Sequence, residues 1–464
     1  MASGAPTVAF NLAPAPIAAA SDILAEYQAI TGAPADAYLA PRVAMAIEDA
    51  LGFANWPVGR VCGPEAALAD NFGVSVRVLR QAFRILEARG VCRPRRGPSG
   101  GLIILAPDRD AMGATMANHL RWAGVDDDEI WVARELIEPL AAASAAQAGG
   151  GATGKGDPPL SAIASLASPF LGLSLTCLEQ FGGGLSESPA ALAEALSAAI
   201  ANGSAARAFD LAREGVKLRR GVSEASVAAY TATAPNPGVG FNLAAGVAAR
   251  ISAEIHPEAC RNGDRLGTVA SLSDRYGVSA GVVIEAVRLL EDAGVAQSLN
   301  GRGGGVRLRQ PDPASFITSV HGYLAAHTRA PEADFSFRLN AWASERAADV
   351  RSIGDTRELL QMWKVIEGAP EPMMKRAWYG MQRRLYDIAG NRPLHLLAAC
   401  FAGFAVRAQA PTRQPWSASL VGAIQGVGQT IVRGVVEKDA ALANQGHDRA
   451  RSIFMPDRPG LLRA

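Results

Sequence analysis

Apolar residues recur at helical spacing through 41–53, where Val43, Ile47 and Leu51 share one face and predict an amphipathic helix. Pro64 suits the first turn of a second helix running over 64–72. Gly73-Val74 reads as a tight turn and Ser75 as the N-cap of a third helix over 76–89, which Gly90 stops. The period then shortens. Residues 91–94 and 102–105 read as two short strands, joined by a Gly/Pro/Arg loop over 95–101.

The same order returns 204 residues later without a gap. Gly59, Leu68, Gly73, Ser75 and Gly90 have counterparts in Gly263, Leu272, Gly277, Ser279 and Gly294. Val247, Ile251 and Ile255 line the first helix of the second copy, and 301–305 forms its loop ahead of a strand at 306–308. Helix–helix–turn–helix–strand–loop–strand predicts a winged helix-turn-helix, here duplicated.

An Ala/Leu-rich stretch of helical character follows each copy. In the first half it covers 130–148, 160–181 and 189–215, broken by a Gly-rich segment over 149–157. In the second half it covers 314–455. Ser168-Pro169-Phe170-Leu171 parallels Arg392-Pro393-Leu394-His395 at an offset of 224, so these stretches have drifted in length. The expected fold is mainly α: two winged helix-turn-helix domains, each with a small β wing and each followed by an all-helical bundle. The expected boundaries are an Ala/Pro-rich lead-in (1–38) with a short helix over 22–30, a first winged helix (39–107), a first helical domain (108–236), a second winged helix (237–311) and a second helical domain (312–464). The linker between halves is expected at 231–237.

Composition refines this picture. A chain of 464 residues needs more than one core, and 49% hydrophobic residues with 6% aromatics suit closely packed helices. A net charge of +1 leaves the partner open, because charge can still be segregated locally. Cys62, Cys92, Cys177, Cys260 and Cys400 lack CxxC spacing, which argues against a disulfide framework or zinc site; Cys62 and Cys92 fall at core positions. The apolar first twenty residues are interrupted by three prolines and lack a basic leading region, so they make a poor signal peptide. No apolar run is long enough to span a bilayer, and a cytoplasmic location without membrane contact is expected.

The two winged-helix segments resemble the GntR family of bacterial transcription regulators. The first copy keeps Gly59, Glu65, Leu68, Ala69, Val74, Ser75, Arg80, Ala82, Leu86, Glu87 and Gly90 of its signature; the second keeps Gly263, Leu266, Leu272, Val278, Ser279, Val283, Glu285, Ala286, Leu290, Glu291 and Gly294. The helical stretches resemble the effector domain of the FadR-type subfamily through Arg134-Glu135-Leu136-Ile137-Glu138 and Ala389-Gly390-Asn391-Arg392-Pro393-Leu394. The resemblance implies a DNA-binding regulator, expected to be a repressor, with helical domains that dimerise or sense a small molecule.

The copies differ in charge. Residues 76–96 carry Arg77, Arg80, Arg84, Arg89, Arg93, Arg95 and Arg96 against Glu87 alone. The matched window 280–300 carries Arg288 against Glu285, Glu291 and Asp292. Phosphate binding needs cations, so the first head is expected to read double-stranded DNA. The candidate contacts are Ser75, Arg77, Arg80, Arg84, Arg93, Arg95, Arg96 and Gly97, joined by Arg302 and Arg307 on the second wing. Arg80 stands at the family's DNA-contacting arginine. Val76 and Ala66 replace two other family arginines, which changes the expected operator. The second head reads as partly degenerate, with Ala280, Gly281, Val282 and Ile284 at its reading positions.

The family's metal-site positions fall on Trp378, Gln382 and Gly428 in the second half and on Pro158 in the first, with His447 out of register. No cofactor or metal is expected. Gly149-Gly150-Gly151-Ala152-Thr153-Gly154-Lys155 imitates a phosphate-binding loop, but Gly156 follows the lysine and Pro158-Pro159 replaces the capping helix. No nucleophile–base pair or carboxylate dyad recurs at useful spacing, so an enzyme is not expected. The partners implied are DNA, a second copy of the chain, and a carboxylate or apolar metabolite as effector. The rival reading is a ligand or protein sensor whose winged helices serve as scaffold.

Overall fold

The computed structural model describes residues 12, 26, 28–30, 39–95, 101–149, 160–181, 189–223, 243–254, 263–292, 294–299, 304–309, 313–328, 334–408 and 416–455. The chain divides into two compact units that do not follow chain order. One gathers Met1–Ile17, Ala33–Val125 and Ala229–His327; the other gathers Ala18–Gly32, Asp126–Ala228 and Thr328–Ala464.

The first unit holds both repeats. In the first module, α1 (Leu39–Phe53) leads to β1 (Val61–Cys62), α2 (Glu65–Asn71), α3 (Val76–Ala88), β2 (Cys92–Arg95) and β3 (Gly101–Ile104). Each helix agrees with its expected span to within two residues. Pro64 sits at the N-cap of α2 rather than inside it, and Ser75 Oγ caps α3 by accepting from the Val78 amide at 3.3 Å. The strand β1 was not expected from the sequence. It pairs Val61 with Ile103 and Cys62 with Leu102, giving a three-stranded antiparallel sheet in the order β1-β3-β2. Two residues are too few to show a period of two. Val43, Ile47 and Leu51 meet Leu68, Leu79, Ala82, Phe83, Leu86, Leu102 and Ile104 in one core. Leu12 of the lead-in is buried there too, and its carbonyl accepts from Asn71 Nδ2. Burial pushes the Cys62 thiol up to about 11.

A helix α4 (Arg109–Trp122) follows this module. The second module repeats it as α10 (Leu243–Glu254), β4 (Arg265–Gly267), α11 (Val269–Tyr276), α12 (Ala280–Asp292), β5 (Ala296–Leu299) and β6 (Gly305–Leu308), with α13 (Pro313–His327) after it. The five helices α5–α9 between α4 and α10 belong to the other unit. Every element of the second module starts 204 residues after its counterpart, and its sheet has the same order, β4-β6-β5. Gly73 and Gly277 both adopt left-handed backbone (φ 62° and 65°), which is why both turns carry glycine.

The helices after the modules cross over. Trp122 of α4 packs on the core of the second module and its indole donates to the Ser252 carbonyl. Ala326 of α13, the residue 204 places later, packs on the core of the first module. There α13 also brings His321 Nε2 to 3.0 Å from Asp49 Oδ1 and His327 Nε2 to 2.9 Å from the Pro107 carbonyl. His119 and Phe316 stack between α4 and α13, with ring centroids 4.8 Å apart.

The secondary-structure elements of the second unit are all helices among its described residues. Its first half contains α5 (Asp127–Gln147), α6 (Leu160–Ala167), α7 (Pro169–Phe181), α8 (Ala190–Ala201) and α9 (Ala205–Ser223). Its second half contains α14 (Asp334–Val350), α15 (Ile353–Gly368), α16 (Glu371–Ala389), α17 (Arg392–Ala408), α18 (Ala418–Glu437) and α19 (Ala440–Phe454). The continuous stretches expected over 160–181 and 189–215 are each two helices. Ser168 ends one and caps the next, its Oγ accepting from Leu171 N. Gly203, at φ 69°, turns the chain between α8 and α9. Asn391 Oδ1 accepts from Leu394 N in the same way as Ser168, so the caps align at an offset of 223, one residue off the proline match. Helix register follows the cap, because the cap satisfies the first free amides.

The two halves of this unit share a core. Phe170 of α7, Phe335 of α14 and Phe401 of α17 form an aromatic trio with centroids 4.6–5.5 Å apart. Asn391 Nδ2 also donates to the Glu129 carbonyl at 2.8 Å, and the Arg392 guanidinium grips the Glu129 carboxylate. That grip overcomes partial burial and holds the Glu129 carboxyl below its usual range. The expected linker over 231–237 and the expected loop over 149–157 lie largely outside the described residues.

Candidate nucleic-acid interface

The amphipathic pattern of α3 decides which side chains can meet DNA. Leu79, Ala82, Phe83 and Leu86 are buried on one face. Arg77, Arg80 and Arg84 stand at i, i+3 and i+7 on the other, and all three are exposed. Ser75 is spent on the N-cap but remains at the exposed end of the helix. Arg80 Nε donates to Glu65 Oε2 of α2 at 2.7 Å, in an ion pair whose side chains are 64% and 40% exposed. A pair so wet is worth at most about 1 kcal/mol, so Arg80 can exchange Glu65 for a phosphate or base edge.

Two arginines of the basic window are differently engaged. Arg84 forms an ion pair with Glu285 of α12, so the third helices of the two modules touch. Glu87 lies beside this pair, and burial together with the Glu285 charge raises its carboxyl above the usual range. Arg89 is buried, with Nη1 at 3.2 Å from both carboxylate oxygens of Glu48 in α1. Sequence counting placed Arg89 in the basic cluster; its guanidinium is a core ion pair.

The sheet adds Arg93 and Arg95, exposed on β2 and projecting to one side because they are two apart. Arg96, Gly97 and Arg302 lie outside the described residues. Arg307 is held at the second sheet, where Nη1 donates to the Gly263 carbonyl at 2.8 Å. Its direct cross-strand partner is Arg265, an exposed cation that sequence reasoning did not single out. Arg265 Nη2 donates to the Gly304 carbonyl at 3.0 Å. The signal was register: two arginines 42 places apart become neighbours only once β4 pairs with β6.

The third helix of the second module exposes Ala280, Gly281 and Ile284 where the first exposes Val76's turn, Arg77 and Arg80. Its first turns therefore present no cation, and Arg288, half-buried, is the helix's one basic side chain.

The positions that the resemblance gave to metal ligands are occupied otherwise. A methyl group on Gly428 would sit 2.4 Å from the Trp363 ring and 2.9 Å from the Trp378 ring. His447 is buried, with Nε2 at 2.8 Å from Ser344 Oγ, and burial lowers its pKa to about 3. Gln382 is buried and its side-chain amide has no hydrogen-bond partner among the described residues. Pro158 lies outside them, as does the whole lysine-bearing glycine loop apart from Gly149. No helix among the described residues is long and apolar enough to cross a membrane.

Known proteins are similar to parts of this chain. Residues 243–306, the second module, match the bacterial regulatory proteins of the gntR family. The chain is 43% identical over 69 residues to a putative HTH-type transcriptional regulator, RmpR, of Mycobacterium gastri; the match covers 14% of this chain and 25% of that protein. The chain thus spans about a quarter of that relative's length. Among solved structures, Streptococcus agalactiae GntR is similar at 14% identity and a TM-score of 0.30, over 46% of this chain and 100% of that one. E. coli McbR/YncC is similar at 13% identity and a TM-score of 0.24, over 47% and 100%. The segment that matches the gntR family model is the copy with the less basic third helix.

Proposed function

We propose that this chain is a DNA-binding transcription regulator, a repressor, built from two fused FadR-type units that arose by tandem duplication. The observation that carries the reading is the exposed face of α3. Arg77 and Arg80 stand on the solvent side of a helix whose opposite side is core, in a module whose twin matches a family of DNA-binding regulators. Such a helix enters the major groove, where Arg80 contacts a base edge while Arg77, Arg93, Arg95 and the neighbouring wing residues hold phosphates. The second module contributes backbone contacts through Arg265, Arg302 and Arg307.

One strong head per chain suits a homodimer on a symmetric operator, since a two-fold protein pairs with a two-fold site. The helical unit dimerises or senses a small molecule. No catalytic step is assigned to the chain.

The test is binding of the purified protein to its own upstream DNA, titrated with salt, beside an Arg77→Ala/Arg80→Ala variant. Tight binding that weakens steeply with salt and is lost in the variant supports the reading. Arg80→Ala alone should cost about 1–3 kcal/mol if it makes a bidentate base contact. One observation favours a second reading: Arg84 is already held by Glu285, so part of the reading face is occupied within the chain. A ligand or protein sensor with scaffold modules would show no salt-dependent DNA affinity at all, and that result would displace the first reading.

A further inference from the structure

The two modules belong to one compact unit, and their third helices touch. The Arg84–Glu285 pair lies two turns into α3 and more than one turn into α12, so the first turn of each helix stays clear of it. Those tips are open. Ser75, Arg77 and Arg80 are exposed on α3, and Ser279, Ala280, Gly281 and Ile284 are exposed on α12. Crossing helices pin the arrangement, with Trp122 of α4 packed on the second module and Ala326 of α13 on the first. At about 1.5 Å per residue along a helix and about 10 Å between touching axes, the two tips stand at most about 30 Å apart. Heads that read successive major grooves stand about 34 Å apart.

The second tip has a chemistry of its own. Gly281 and Ile284 stand at i and i+3, 204 residues after Arg77 and Arg80. Ile284 is 42% exposed, an apolar side chain that takes no part in the module's core. A methyl on Gly281 would meet only Ser279 Oγ among the described residues, at 3.9 Å, so packing does not require glycine there. Glycine weakens a helix relative to alanine, and it lets another molecule approach the backbone closely. Without a cation, this tip cannot make the bidentate contact that selects guanine. It fits thymine, which presents a methyl group in the major groove.

We propose that the two tips of one chain read one asymmetric DNA element whose two subsites lie less than a helical turn apart. One subsite holds a guanine under Arg80; the other holds thymines whose 5-methyl groups pack on Ala280, Gly281 and Ile284. The second tip is then a reader rather than a degenerate copy. The proposal rests on the regulator reading and specifies its operator. In a homodimer the element forms each arm of the symmetric site.

The experiment selects duplexes with the full chain from a random pool several helical turns long, then measures the selected duplex by fluorescence anisotropy. Two different base patterns are expected within one turn, one with guanine and one with thymine. Arg80→Ala should relax the first and Ile284→Ala the second. Ile284 is exposed, so its variants should keep the wild-type melting temperature. Replacing the thymines by deoxyuridine removes only methyl groups. The wild-type chain should bind about fourfold more weakly for each methyl lost, and Ile284→Ala should lose most of that difference. Ile284→Arg should exchange thymine for guanine in the second subsite. The proposal is overturned if one pattern alone emerges, if the two patterns are the same, or if deoxyuridine binds as tightly as thymine. A guanine pattern that depends on Arg80 but has no thymine neighbour overturns this proposal alone and leaves the regulator reading standing. Absence of any DNA binding overturns both.

Discussion

Arg84 of α3 and Glu285 of α12 form an ion pair that joins the third helices of the two modules. The pair spans the repeat, since the residue 204 places after Arg84 is Arg288 and not Glu285. It also places a carboxylate against the basic face that the regulator reading assigns to DNA. The side chains are 47% and 21% exposed, so the pair adds little to stability, about 1 kcal/mol at most. Under the regulator reading its consequence lies in binding, where Glu285 would compete with phosphate for Arg84.

Glu285→Gln should therefore raise DNA affinity and steepen its salt dependence by about one released counterion. Fluorescence anisotropy at several salt concentrations measures both. A variant with the wild-type slope would mean that Arg84 never meets a phosphate.

The ion pair between Glu48 and Arg89 is of the opposite kind, with side chains 0% and 5% exposed. Glu48→Ala leaves a guanidinium in the core and should destabilise the module by about 3–5 kcal/mol. Glu48→Leu/Arg89→Met removes both charges and should cost much less. Urea unfolding followed by tryptophan fluorescence compares them; equal losses would contradict the account.

In the helical unit, Gly428→Ala drives a methyl into the Trp363 and Trp378 rings and should cost about 1–3 kcal/mol. Gly422→Ala, in the same helix with open space around its Cβ position, should instead stabilise by about 0.5–1 kcal/mol. Thermal melts of the two variants should move in opposite directions.

His447 has a folded pKa of about 3, below the ordinary value of 6.5, because burial penalises its charged form. The unfolded chain therefore binds a proton between those values that the folded chain does not. Stability is full above pH 6.5 and falls as the pH drops toward 3, by up to about 1.4 kcal/mol per unit. His119, lowered to about 4 by burial, adds to the same slope in the other unit. His447→Gln should flatten the dependence of unfolding free energy between pH 4 and 6; an unchanged slope would mean that the buried imidazole does not contribute.

Much of the modules was legible in advance. Helix spans near α1, α2 and α3 follow from Val43/Ile47/Leu51 spacing, Pro64 and Ser75, all of which act within a few residues. The strand β1 escaped notice because it is two residues long and gains its identity from β3. Arg89 was misread because an arginine at the end of a basic run looks like surface; only Glu48, 41 places earlier in sequence, makes it core. Arg265 was overlooked for the same reason, its neighbour Arg307 being 42 places away.

The sequence by itself determined the repeat, its 204-residue period, the helices and turns inside each copy, and the contrast in charge between the two third helices. Those properties rest on periodicity, caps and composition, which are local. Tertiary structure alone decided which arginines remain available. It buried Arg89 against Glu48, tied Arg84 to Glu285, left Arg77 and Arg80 on the exposed face, and crossed α4 and α13 onto each other's modules. Charge counts in a linear window cannot carry that information, because an ion pair depends on distance in space and on the water excluded around it.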